Sequence, residues 1–188
     1  MERFDVVVVG AGVFGAWTAS HFARRDKRVL LVDSYGPANS RASSAGESRI
    51  IRMGYGADEI YTRMSQNSLA QWKEFFGFKR PGLFHETGVL WLAGDGDARI
   101  GATAETLKRC GIEFEQLNRG VLEKRYPQIS FDGIATGIFE STSGVLMARR
   151  AVAAVVEDAI FNGVEYRVGE VLAPAIDGGA KADRKSVV

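Results

Sequence analysis

Cysteine is almost missing from this chain: Cys110 stands alone, which excludes an internal disulfide and a cysteine-rich metal site and fits a reducing compartment. Histidine is scarce too. His21 falls inside a helical pattern and His85 just before a strand, positions that read as structural rather than acid–base, and no metal site is expected. An excess of either charge is also lacking: 24 Lys and Arg against 23 Asp and Glu leave a formal net charge of +1. Such a chain has no long-range field to recruit nucleic acid or an anionic membrane, and neither is expected as a partner. The longest apolar run is strand-sized, far short of a spanning helix, and Met1-Glu2-Arg3 leads into the first strand without a cleavable leader, so a cytoplasmic location is expected. The remaining composition, 46% hydrophobic and 25% charged over 188 residues, is that of an ordinary globular protein with one domain or two small ones.

Glycine, by contrast, is placed with purpose. The stretch FDVVVVGAGVFGAW runs a strand into Gly10-Ala11-Gly12-Val13-Phe14-Gly15. Glycine tolerates the tight turn at Gly10 and a close backbone approach at Gly12, while Gly15 lets the next helix pack against the strand. The helix N-terminus then presents unpaired N–H groups and the positive end of its dipole to a pyrophosphate. Phe4 to Val9 reads as a buried parallel strand, Val13 to Arg25 as a helix, and Arg28 to Val32 as a second strand ending at Asp33, where an acid accepts from a ribose. An adenine dinucleotide is the expected ligand, and the class is α/β.

A loop from Ser34 to Gly46, rich in Ser, Gly, Pro and Asn, hangs from the carboxyl end of the second strand, where such folds keep their ligands. A helix starts at Asp58 or Glu59, with a core stripe of Ile60, Met64, Leu69, Trp72 and Phe76 up to Gly77. The character changes near Lys79-Arg80-Pro81-Gly82. Strands over 87–93 and 135–140, an edge strand over 112–117, a helix over 99–109 and a short helix before Pro127 predict a separate α+β layer. Cys110, at that helix end, reads as a packing residue. Arg149 to Phe161 then forms a helix with Val152, Val155, Val156 and Ile160 on one face, capped by Asn162-Gly163, and Val164 to Val168 is a third parallel strand. The turn Asp177-Gly178-Gly179 and a strand start at 185–188 leave a bare sheet edge, which predicts self-association and a chain that is part of a larger enzyme.

Together, the first strand and glycine turn, Asp33, the loop ASSAGESRIIRMGYG, the helix start YTRM, the segment ETGVLWL and SGVLMARRA resemble the sarcosine oxidase and pipecolate oxidase branch of the FAD-dependent amine oxidoreductases, related to D-amino acid oxidase. The resemblance runs over essentially the whole chain but only about the first half of a typical member. It implies a Rossmann-like FAD-binding domain of the glutathione reductase type with an inserted α+β substrate-domain segment. Residues 1–80 and 148–188 are expected to form the two parts of the FAD-binding domain and 81–147 the substrate segment.

The resemblance further implies FAD with its pyrophosphate at Gly10, Gly12 and Gly15 and its ribose on Asp33, the loop with Arg41, Ser43 and Ser44 running toward the flavin, and Val171 near the adenine. Arg49 is implied to lie against the flavin ring, Arg52 to bind the substrate carboxylate, and Tyr55 to shape the pocket. The implied reaction is oxidation of a secondary or N-methylated amino acid to an imine, with hydrogen peroxide formed. Sarcosine oxidases carry histidine where this chain has Ala45, so the preferred amine differs. The cysteine that binds FAD covalently in some members, and the lysines implied to activate oxygen and bind the carboxylate, match nothing up to Val188. On the residues alone a nicotinamide-dependent dehydrogenase and a catalytically silent nucleotide-binding module remain the competing readings.

Overall fold

Alternation of apolar runs with helical stripes yields nine strands and five helices among the described residues of this computed structural model, which are 3–77 and 80–172. In chain order they are β1 (Val6–Val9), α1 (Val13–Ala23), β2 (Val29–Asp33), β3 (Arg49–Ile51), α2 (Glu59–Phe76), β4 (Phe84–His85), β5 (Val89–Ala93), α3 (Ala98–Arg109), β6 (Glu115–Asn118), α4 (Arg119–Arg125), β7 (Thr136–Glu140), β8 (Gly144–Leu146), α5 (Ala148–Phe161) and β9 (Glu165–Val168). They divide between two compact units, one made of the chain up to Ala45 and from Val152 onward, the other of Gly46–Ala151. The units part at 45/46 and 151/152, whereas the change of composition placed divisions at 80/81 and 147/148. The reason is packing: Leu69 of α2 shares a buried cluster with Leu107 of α3 and Ile138 of β7, so the helix before the composition change belongs with the layer after it. The turn at 177–179 and the strand start at 185–188 lie outside the described residues.

In the first unit β1, β2 and β9 form a parallel sheet in the order β1-β2-β9, with Val6 opposite Val29 and Asp33 opposite Val168. Parallel strands need a crossover between them, and α1 is the crossover from β1 to β2. Its inward face is made of small residues, Ala16, Ala19 and Ser20, all buried, which lets the helix lie close to the sheet. Gly163, at φ +92°, takes the left-handed turn that leads from α5 into β9. On α5 the buried residues are Ala148, Ala151, Val152, Ala154, Val155, Val156 and Ala159; Ile160, expected on the face of Val152, Val155 and Val156, is exposed.

The second unit holds two antiparallel three-stranded sheets, β3-β8-β4 and β5-β7-β6. β6 is an edge, as its alternation predicts, although it starts at Glu115 rather than Ile112. The short sheet of β3, β4 and β8 carries too few residues to leave a periodic signal and escaped the sequence reading. One core gathers Met53, Leu69, Ala104, Leu107, Cys110, Ile112 and Ile138; a second gathers Leu117, Leu122 and Phe131. Cys110 thus packs, as expected. On α2 the buried face is Thr62, Ser65, Leu69, Trp72 and Phe76, whereas Ile60 and Met64 are exposed. The stripe therefore turns polar in its first two turns, and the polar residues there have a task.

Candidate active site

The nucleotide end is built from backbone. Gly10 adopts φ +100°, which a residue with a side chain rarely does, and its N–H donates to the Val32 carbonyl at 2.7 Å, pinning the turn across β2. A side chain at Gly15 would overlap the Gly10 carbonyl oxygen, so α1 approaches the turn as only glycine allows. Gly12 is different. A Cβ there would meet nothing within 4 Å among the described residues, which leave the space over Gly12 open. Gly12 is also the N-cap of α1, with no side-chain cap hydrogen bond and no acid in the first turn, so no side chain of the cap takes up the first N–H groups of the helix. A cradle of this kind fits a pyrophosphate, and the cofactor FAD carries one.

Asp33 closes the turn from the other side. Its Oδ2 accepts from the Ala11 N–H at 2.8 Å and its Oδ1 from the Tyr35 N–H at 2.8 Å, with Asn39 Nδ2 at 3.5 Å. The acid thus ties strand end to glycine turn, with about one of a carboxylate's four acceptor positions still open for a ribose hydroxyl. Tyr166, opposite Leu31 on β9, has a buried hydroxyl without a partner among the described residues. Its pKa is raised above the ordinary 10.0 first by desolvation and then by the charge of Asp33. The loop after β2 folds into two turns, Ala42 N–H to Asn39 O and Ala45 N–H to Ala42 O. Arg41 stacks its guanidinium 4.2 Å over the Tyr35 ring, Ser43 is exposed and Ser44 half-buried. Val171 is exposed two residues beyond Gly169, whose N–H donates to the Asp33 carbonyl.

The second unit holds the other named residues. Arg49, on β3 opposite Leu146, folds back over Gly46 and donates to the Ser48 carbonyl at 2.9 Å. Arg52 follows β3 on irregular backbone. Its guanidinium lies 4.3 Å from the Trp91 ring and 4.9 Å from the Tyr55 ring, and its Nη1 donates to the Gly54 carbonyl at 3.3 Å. Arg52 is half-buried and pairs with no carboxylate among the described residues. The structure thus brings Tyr55 to Arg52 and adds Trp91, which the sequence reading had placed only on a strand. His21 stacks on Trp17 and His85 lies exposed on β4.

A fourth residue had been read only as the end of the strand over 135–140. Glu140, at the end of β7, is fully buried and accepts four hydrogen bonds: from Met53 N–H at 2.7 Å, Gly54 N–H at 2.9 Å, Trp91 Nε1–H at 2.6 Å and Ser143 Oγ at 2.6 Å. A signal existed. Side chains alternate along a strand, so Glu140 shares a face with Ile138, a core position, and a carboxylate on a core face must be satisfied by donors from elsewhere.

Among the described residues no helix is long and apolar enough to cross a membrane, and no group of three His, Cys, Asp or Glu could hold a metal. The sequence profile of the DAO family, described as FAD dependent oxidoreductase, matches residues 5–187. The peroxisomal sarcosine oxidase of Mus musculus is 36% identical over 154 residues, 82% of this chain and 39% of that protein. The monomeric sarcosine oxidase of Arthrobacter sp. (strain TE1826) is 31% identical over 165 residues, 87% of this chain and 42% of that protein. Among solved structures, the open form of NikD, an unusual amino acid oxidase essential for nikkomycin biosynthesis, superposes with a TM-score of 0.74 at 28% identity, covering 89% of this chain and 44% of that one. The chain therefore spans well under half the length of the relatives it matches. These matches decide the cofactor class for flavin over nicotinamide.

Proposed function

The chain belongs to the family of FAD-dependent oxidoreductases, and from that premise we propose that it supplies the nucleotide turn and part of the amine pocket of an enzyme that oxidises a secondary or N-methylated amino acid. The product is an imine. The amine gives up two electrons and two protons across its Cα–N bond, and molecular oxygen takes up both pairs to become hydrogen peroxide. FAD, when bound, supplies the two-electron acceptance that no side chain provides.

In this reading Gly10, Gly12 and Gly15 hold the pyrophosphate, Asp33 the ribose, the loop of Arg41, Ser43 and Ser44 follows the cofactor, Val171 borders the adenine, and Arg49 borders the flavin. Arg52 carries the reading. A guanidinium held between the rings of Trp91 and Tyr55, with no carboxylate of its own among the described residues, suits a substrate carboxylate by charge and by its planar fork. Its fixed positive charge also disfavours an ammonium beside it, so the substrate nitrogen is held in the neutral form that can be oxidised. The cytoplasm is the proposed location, a reading supported by the single buried cysteine.

The test is Arg52→Lys in the native protein, assayed by peroxide release with sarcosine and pipecolate against dimethylamine and piperidine, which lack the carboxylate. Lysine keeps the charge and loses the fork, so KM for the two amino acids should rise about tenfold to a hundredfold, while the simple amines change by less than about threefold. Equal effects on both pairs would mean that Arg52 does not hold the carboxylate.

A further inference from the structure

The backbone that leaves Arg52 has no sheet or helix to satisfy it, yet among the described residues its polar groups are accounted for. The Arg52 carbonyl accepts from Ser65 Oγ; the Met53 carbonyl accepts from Thr62 Oγ1 at 2.9 Å; the Gly54 carbonyl accepts from Arg52 itself. The two N–H groups, of Met53 and Gly54, both go to Glu140. Thr62, Ser65, Glu140 and Ser143 are all buried, and every one of them serves this segment directly or through Glu140. The remaining donor to Glu140 is the indole N–H of Trp91, the residue whose ring lies against the Arg52 guanidinium. Three of the four donors to Glu140 can only donate, so they demand an acceptor with lone pairs on both oxygens, as a carboxylate has. Space is just as constrained. A Cβ on Gly54 would sit 3.0 Å from Glu140 Oε1, 3.0 Å from Trp91 Nε1 and 2.9 Å from Thr103 Cγ2.

We propose that Glu140 is the positioning residue of the amine pocket: a single buried carboxylate that fixes both the backbone behind Arg52 and the aromatic ring against its guanidinium, and so sets where the substrate carboxylate is held. The inference rests on Arg52 being the carboxylate site. A surface arginine with a free stem explores many rotamers, whereas one whose backbone and stacking partner are both held by the same group loses little freedom on binding. Glu140 touches neither substrate nor cofactor in this role. It acts through Arg52 and Trp91.

The experiment is a double-mutant cycle of Glu140→Gln and Arg52→Lys in the native protein, with flavin content and melting recorded for each variant. Glutamine keeps the size but turns an NH2 toward groups that themselves donate, so at least one N–H loses its acceptor. Glu140→Gln should raise KM for sarcosine and pipecolate about tenfold or more, weaken calorimetric binding of the non-oxidisable carboxylate propionate by the same factor, and leave kcat and the simple amines within about threefold. In the Arg52→Lys background the same substitution should change these quantities by less than about threefold, because the fork it positions is gone. Should Glu140→Gln fail to fold, Trp91→Phe leaves a smaller aromatic ring beside the guanidinium and removes the indole N–H together with the pyrrole ring, and its KM shift for carboxylated substrates should have the same sign. Glu140→Gln with unchanged carboxylate affinity in a folded protein, an effect equal in both backgrounds, or Trp91→Phe without the KM shift overturns the inference alone. If Arg52→Lys itself leaves carboxylate affinity intact, the reading of Arg52 falls and the positioning role falls with it.

Discussion

The two candidate regions, a nucleotide turn in the first unit and an amine pocket in the second, are made of different material. The nucleotide end, from Gly10 to Asp33, is twenty-odd consecutive residues in which backbone N–H groups and missing side chains form the cradle. The amine end gathers Arg52, Tyr55, Thr62, Ser65, Trp91, Glu140 and Ser143 from four stretches of chain, and buried side chains support the backbone there. A turn built from backbone depends on glycine and local order; a pocket built from side chains depends on the tertiary fold. The contrast sets a backbone carbonyl against an added carbon at Gly15, and side-chain atoms against one at Gly54.

The sharpest way to break the contrast is Gly15→Ala. One methyl group would collide with the Gly10 carbonyl, a backbone atom that cannot step aside, and overpacking of that kind should cost about 3 kcal/mol or more. Chemical denaturation of the variant should show the loss; a variant as stable as the parent would mean that α1 and β1 are not packed as described. Gly54→Ala comes next. Its new Cβ meets side-chain atoms of Thr103, Trp91 and Glu140 rather than backbone, so about 1–3 kcal/mol is expected, together with weaker binding of carboxylated substrates. Denaturation and KM measured on the same preparation would separate the two effects, and a stable Gly54→Ala with native KM would show the amine end to be looser than its hydrogen bonds imply.

The smallest effect should come from a polar contact of the second unit that lies outside the buried cluster. Glu59 has its pKa lowered below the ordinary 4.5, chiefly by hydrogen bonds from Arg63 and then Arg109. A carboxyl group lowered in this way adds stability above its unfolded pKa, and that contribution fades as the pH falls from about 4.5 through the folded value. Because the group is exposed to solvent, Glu59→Gln should leave the melting temperature at neutral pH unchanged and only flatten the acid limb slightly. A large loss at neutral pH would mean that surface pairs, and not the buried acceptor Glu140, hold this unit together.

Sequence legibility follows the same division. Gly10, Gly12, Gly15 and Asp33 lie in one local pattern, and the parallel pairing of β1, β2 and β9 follows from its strand–helix–strand periods. Ile60 and Met64 were misplaced because an apolar residue at helical spacing carries no mark of what it faces, and the buried face one step round the helix is polar, with Thr62 and Ser65. Ile160 failed for a related reason, since Ala159 fills the buried position beside it. Glu140 and Trp91 are 49 residues apart and their contact arises only once β5 pairs with β7. No local period announces that.

The most direct measurement compares FAD binding by the native protein and by Gly12→Val. A Cβ on Gly12 would meet nothing within 4 Å among the described residues and the backbone, at φ −75° and ψ −175°, is extended, so a side chain there is compatible with the fold. Expected is an unchanged circular dichroism spectrum and melting temperature, with flavin content after reconstitution reduced to traces and affinity for FAD weakened about a hundredfold or more by the side chain in the pyrophosphate's path. A folded Gly12→Val that takes up FAD as the parent does would contradict the placement of the cofactor on this turn.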